Sequence, residues 1–544
     1  MKISKFNLNT LLILFIIGLL IAVNACKKDE QVYPRTRLFQ PVLNQPLEAI
    51  DNTIVVDLGD MKQAVNYTIE VSRDSFLTTD YTFDVDTNYF IINNELTGED
   101  LLWYTIYEIR ATAHADDSQY DSHVSDVGTI RTDKFPSNQG TPTMFDVLDN
   151  RARVFWTPAG QPITGIKVFA IDDARLTTPL LEYDVTDADR TAHEKVVGGL
   201  TPNTEYQIAI YSDGTLRGWE NYTTRVPLVS GDNVINLAGI ENDSILADTL
   251  PTVPNGSVIL LEGGRNYFTG GYEFDKSVTI MSGYSFTQAL PHIDCGSNFN
   301  MADGAIVDSI YFKNISFSAS FDANYIFNIS NSATIGEIKY TSCRMHSLRG
   351  ITRIKGGDGT IDKFTIDDCV ADSINGYAVF YVDKDTWSAG DITLKNSTFS
   401  KCQYFLASRS NTRSITIESC TINDAPEKGR QMFRWRGGDG ANDVTEGIKI
   451  YNTIWGHGWN MDGEEDYAVK GFEGLPNTNF DVKNTWATSQ FSFSSDDIPG
   501  FPSFSYAGTT AQLWTDPASV DFSFLDSGFT GKGDSGDPRW REGL

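Results

Sequence analysis

The sequence is short of the residues that build metal and thiol chemistry. It holds six cysteines and six histidines in 544 residues, and no two cysteines form a C-x-x-C pair. That spacing argues against a structural zinc site. Positive charge is scarce as well: 43 Lys and Arg stand against 72 Asp and Glu, a formal charge of −29. Binding nucleic acid through bulk charge needs the opposite balance, so no nucleic-acid partner is expected. No apolar run reaches the roughly 20 residues that span a bilayer as a helix. The longest, Leu11–Val23, has 13. What the chain does have is core material, with 40% apolar and 12% aromatic residues, and a length that implies several domains.

The short apolar run follows Lys2 and Lys5 and leads into Val23-Asn24-Ala25-Cys26. A charged start, a short apolar stretch and a small residue before a cysteine resemble the lipobox of bacterial lipoproteins, with Asn24 a departure from the usual pattern. The resemblance implies a leader over 1–25, lipidation of Cys26, a linker over 26–40 and a lipid anchor in the outer membrane. Lys27-Lys28-Asp29-Glu30 is similar to the surface-export signal of Bacteroidota lipoproteins, which implies a position facing the cell exterior.

Residues 41–228 read as short β-runs with frequent turn signals. Leu200-Thr201-Pro202-Asn203-Thr204-Glu205-Tyr206 precedes the alternating Gln207–Tyr211. This resembles the tyrosine-corner segment of fibronectin type III domains, in which the Tyr hydroxyl pins the chain corner. Trp156 is similar to the core Trp of that family. Leu101, Trp103, Thr105 and Tyr107 repeat the spacing with Trp in place of Pro. Two fibronectin type III-like sandwiches are expected, a degenerate one at 41–134 and a second at 138–228.

From residue 230 onward a short strand recurs, written apolar-x-apolar and closed by Asn or Cys. Its closing residues are Asn314, Cys343, Cys369, Asn396, Cys420, Asn452 and Asn484, which advance by 29, 26, 27, 24, 32 and 32 residues. A period of this size means a solenoid, and period-two alternation means strands. Asn and Cys are expected to share one turn column, as a stacked ladder with the thiols buried. The repeat resembles the pectate-lyase-like right-handed parallel β-helix superfamily. More narrowly, it looks like the β-helix domain of Bacteroidota surface lipoproteins of polysaccharide-utilisation systems. Gly536-Asp537-Pro538-Arg539-Trp540 is similar to the ending of those lipoproteins. The expected fold is all-β: two sandwiches, then a right-handed parallel β-helix over 230–544.

Second strands follow the ladder: Ile351–Lys355, Val379–Lys384, Phe405–Arg409 and Phe433–Arg436. With Ile354, Val382 and Trp435 turned inward, Arg353, Lys355, Tyr381, Arg409, Arg434 and Arg436 fall on an outer stripe. Arg pairs with carboxylates through two parallel bonds, and aromatic faces stack on sugars. These residues are candidate contacts to an acidic polysaccharide such as pectin or alginate. The alternative at the same residues is solvated surface charge paired with nearby Asp. Two loops also match: Lys355-Gly356-Gly357-Asp358-Gly359 and Arg436-Gly437-Gly438-Asp439-Gly440. They read as tight turns, or as sources of Ca²⁺ ligands through Asp358 and Asp439 with Asp383.

Three readings follow. The first is a non-catalytic surface lipoprotein that binds an acidic polysaccharide, beside an outer-membrane glycan transporter. The second is a calcium-dependent polysaccharide lyase, for which no motif fixes a catalytic residue. The third is an adhesin or structural surface protein.

Overall fold

The structure is a computed structural model that describes residues 34–541 apart from 321, 438, 439 and 464. The leader, Cys26 and Asp439 therefore lie outside the described residues. The fold is all-β.

The first sandwich pairs a sheet of Glu48–Ile50, Thr53–Asp57 and Tyr89–Ile92 with a four-stranded sheet. In the latter, Asn66–Ser72 and Ile106–His114 lie between Tyr81–Val85 and Ser125–Arg131. Strict alternation sends Ile54, Val56, Ile69, Val71, Tyr107 and Ile109 into one core, as a half-buried sheet requires. The Tyr107 hydroxyl accepts a 2.8 Å bond from Leu102 N. The corner therefore closes although Trp103 replaces Pro. In the second domain the Tyr206 hydroxyl accepts from Thr201 N at 2.9 Å, the same five-residue reach. Gly165–Ala170 pairs with Leu181–Asp184, and Ala152–Phe155 with Glu194–Val197. Both domains are fibronectin III-like.

The C-terminal part is a parallel β-solenoid of about 10 turns built from three sheets. The first sheet runs from Val234–Asn236 to Phe480–Lys483, the second from Asn266–Phe268 to Phe504–Ser505, and the third from Tyr325–Ile329 to Phe493–Ser495. Inward residues stack rung on rung. Phe312 pairs with Tyr340, then Ile366, Leu394 and Ile417. The Phe312 and Tyr340 rings lie 5.4 Å apart and 12° from parallel. The buried Tyr340 hydroxyl faces Thr352 Oγ1 at 3.5 Å. Leu246 and Leu250, in and after the short helix Ile245–Thr249, join this core.

The ladder differs from expectation by one residue. Asn314, Ser342, Asp368, Asn396, Ser419, Asn452 and Asn484 form one column, each with φ between 48° and 56°. Asn, Asp and Ser tolerate the left-handed region better than branched residues do. From Asn314 to Asn452 their N–H groups bond the next rung, as from Asn314 to the Thr341 carbonyl. Cys343, Cys369 and Cys420 occupy the following column with Ile315, Ser397, Thr453 and Thr485, all at most 1% exposed. Asn and Cys therefore do not share a position: one turns the chain, and the other fills the space behind the turn. Cys295, Cys343, Cys369, Cys402 and Cys420 are free and buried.

The final segment folds back on the outer face of the second sheet. Asp537, 1% exposed, accepts from Thr398 Oγ1 at 2.7 Å and from Arg539 Nη1 at 2.7 Å. Trp540 Nε1 donates to Thr398 Oγ1 at 2.7 Å, and Arg539 Nη2 reaches Asp368 Oδ1 at 2.6 Å. Gly536, at φ 77°, sits where a Cβ would lie 2.8 Å from Thr421 Oγ1. The closing motif is a latch.

Candidate functional site

The third sheet aligns Arg353 with Tyr381, then Ala407, then Arg434. Ile354, Val382 and Trp435 are fully buried, so the alternate residues of these strands do lie outside the core. Strand spacing puts Arg353 and Arg434, three rungs apart, at about 14 Å.

Asp383 is the hub of the upper part. Its Oδ2 receives Arg353 Nη2 at 2.5 Å, and its Oδ1 receives Arg409 Nε at 2.9 Å. Burial works most strongly against the Arg353 charge, but the Asp383 hydrogen bond and the charges of Tyr325, Asp383 and Tyr377 together outweigh it and hold the guanidinium above its ordinary range. Arg353 also lies 3.8 Å over the Tyr377 ring, and Arg349 lies 5.0 Å from the same ring. Lower down, Arg430 and Arg434 lie 4.6 and 5.8 Å from the Tyr404 ring. Arg434 Nε meets Glu473 at 3.2 Å, and Arg430 Nε meets Glu427 at 3.1 Å. Two Arg-Tyr-Arg groups thus stand along one face.

Tyr381 corrects the expected stripe. It is only 8% exposed and packs with Ala378, Ala407, Tyr377 and Tyr404 in a small cluster outside the main core. Burial pushes its phenol pKa up, and its hydroxyl is bonded to Arg409. It supports the face rather than offering a ring to a ligand. Tyr377 and Tyr404, half-buried, hold that outer place. Lys355 and Arg436 are exposed at the strand ends.

The reading as paired surface charge also holds in part, because Arg353, Arg409, Arg430 and Arg434 each have a carboxylate partner. Pairing does not cancel the patch. Arg349, Arg353, Arg409, Arg430 and Arg434 outnumber Asp322, Asp383, Glu427 and Glu473, on a chain of net charge −29.

The described geometry does not bring Asp358 and Asp383 together as calcium ligands, and Asp439 lies outside the described residues. Both oxygens of Asp383 are taken by arginines, and Asp358 is exposed on its loop. Among the described residues no group of three or more His, Cys, Asp or Glu is placed to hold a metal. Calcium needs six to eight oxygens.

Reading the sequence missed Tyr377, Tyr404, Arg349 and Arg430. Each lies in the turn just before a third-sheet strand. The signal was a Tyr or Arg two or three residues ahead of the inward column Thr352, Phe380, Leu406 and Phe433.

Residues 265–402, which include Arg349, Arg353, Tyr377 and Asp383, match the family described as Domain of unknown function (DUF4957). No curated protein matches the chain. Among solved structures it is similar to the FN1–FN3 domains of chicken CNTN1. That likeness has 12% identity and a TM-score of 0.15, over 35% of this chain and 68% of the other. The solenoid segment at 265–402 is thus similar to a domain whose function is unassigned.

Proposed function

We propose that the protein is a non-catalytic surface lipoprotein that binds an acidic polysaccharide, pectin- or alginate-like, along the third sheet. The observation that carries this reading is the pair of Arg-Tyr-Arg groups, Arg349–Tyr377–Arg353 and Arg430–Tyr404–Arg434. Asp383 supports it, as a carboxylate that accepts bonds from the Arg353 and Arg409 guanidiniums at once. A uronate would share or compete for these guanidiniums with Asp383, Glu427 and Glu473, through charge-assisted bonds, which are the stronger kind. Tyr rings beside the guanidiniums give sugar faces a place to stack. In this proposal Cys26 anchors the chain, the fibronectin III-like domains act as spacers, and an outer-membrane glycan transporter is the partner.

Native affinity electrophoresis in gels holding pectate, alginate or neutral glycans tests the reading. Retardation by an acidic glycan whose chains stay intact supports it. Unsaturated, ultraviolet-absorbing ends would make the protein a lyase, and free migration in every gel would make it an adhesin.

A further inference from the structure

The stripe leaves unused the two matching Gly-Gly-Asp-Gly loops. Gly359 of the first and Gly440 of the second border one recess of about 600 Å³. It lies where third-sheet strands turn into first-sheet strands. Four successive corners supply its walls, at residues 359–360, 385–388, 409–411 and 440–442.

Chain length makes the recess. Only three residues, 409–411, join Leu406–Ser408 to Thr412–Glu418. Ser408 Oγ tightens this corner by donating to the Ser410 carbonyl at 2.8 Å. The corner below is longer and turns through the Gly437–Gly440 pairing before it returns at Ile448. A short corner beside a long one leaves a hollow. Gly359 lets its rung pass tightly, since a Cβ there would lie 2.0 Å from the Ala333 carbonyl oxygen.

The lining chemistry differs from that of the stripe. Arg409 shares Asp383 with Arg353, and the exposed Asp385 stands beside it on the recess wall, so the two charges there oppose each other. The remaining groups are short, neutral donors and acceptors, with Thr360 and Ser388 exposed on adjacent rungs. Asn411 Oδ1 accepts from Asp443 N at 2.8 Å, which leaves its NH₂ for a ligand. Asn442 Nδ2 is screened from solvent and has no partner. Trp387 borders the recess but is 1% exposed, so a ligand is held by its hydroxyls and not by stacking.

We propose that this corner recess is a subsite for a neutral, hydroxyl-rich sugar unit, distinct from the acidic-glycan stripe. Hydroxyls in vicinal pairs match the alternating Asn, Ser, Thr and Asp groups. The subsite stands on its own observations, so the stripe reading can fail while this one holds.

The test uses the full chain from residue 27 onward in affinity gels holding galactan, arabinan or mannan, with polygalacturonate alongside. Ser388→Trp fills the recess, and Asn411→Ala removes one donor. The expected result is retardation of the native chain by at least one neutral polysaccharide, weakened about tenfold or more by both substitutions. Polygalacturonate retardation of both variants should stay unchanged, which also shows that they are folded. Free migration of the native chain in all three neutral gels overturns the proposal. So does neutral-glycan retardation that survives both substitutions. Loss of polygalacturonate retardation in the native chain would count against the stripe alone.

Discussion

Asp537→Ala is expected to loosen the solenoid from its outer face. Asp537 is 1% exposed and accepts three bonds, from Thr398 Oγ1, Arg539 Nη1 and Arg539 N. Breaking a buried ion pair by removing one partner costs about 3–5 kcal/mol. Arg539 is 25% exposed and keeps Asp368 as a second partner, so the lower figure of about 3 kcal/mol applies. For a unit larger than 150–250 residues, roughly 2 °C is lost per kcal/mol, which gives a fall of about 6 °C. Asn at the same site should cost less, about 1 kcal/mol, because it keeps a hydrogen-bonding oxygen and removes a desolvated charge. Burial raises the Asp537 pKa despite Arg539. A raised folded-state pKa means that the folded chain holds the proton more tightly. The native chain should therefore lose stability relative to Asp537→Asn as pH rises above about 4, levelling once the raised pKa is passed. Tryptophan-fluorescence melts measure both effects. Hydrogen exchange in Thr398–Cys402 and Thr421–Asn423 locates them. An Asp537→Ala melt within roughly 1 °C of native would refute the latch, given the expected 6 °C.

Two further outcomes follow from the buried thiols and the turn column. Burial pushes the Cys369 and Cys402 thiols well above their ordinary range. The native chain from residue 27 should thus show no fast-reacting thiol with an aromatic disulfide reagent, and five after denaturation. Asn396, at φ 49°, should tolerate Gly with little loss, while Val should cost roughly 1–2 kcal/mol by urea unfolding. Equal losses for Gly and Val would mean that the turn does not hold the left-handed conformation.

Fold class was legible because its signals are periodic. The apolar-x-apolar strands and their spacing marked a solenoid, and Tyr206 marked a sandwich corner that the hydroxyl bond to Thr201 N completes. Column identity was less legible. Asn314-Ile315, Ser342-Cys343 and Asp368-Cys369 are each a turn residue followed by a buried one, but aligning Asn with Cys merged the two. The stripe was legible only in its strand residues. Arg353 and Arg434 followed from period two, whereas Tyr377 and Tyr404 lie in turns, where periodicity carries no direction. The burial of Tyr381 depended on the small neighbours Ala378 and Ala407 packed around it, and Ala407 comes from the next rung. The pairing of Asp383 was hidden for a similar reason. Asp383 reads as a free carboxylate in one dimension, but the rung below brings Arg409 to it.

The central claim is tested most directly by titrating polygalacturonate into the chain from residue 27, native and with Arg353→Ala plus Arg434→Ala, by calorimetry at two salt concentrations. Each lost charge-assisted contact is worth about 1.5 kcal/mol at the low end, or roughly tenfold, so the double variant should bind about a hundredfold more weakly. Native affinity should also fall as salt rises. Equal affinity of the two proteins, or no binding by the native chain to polygalacturonate or alginate, would contradict the account.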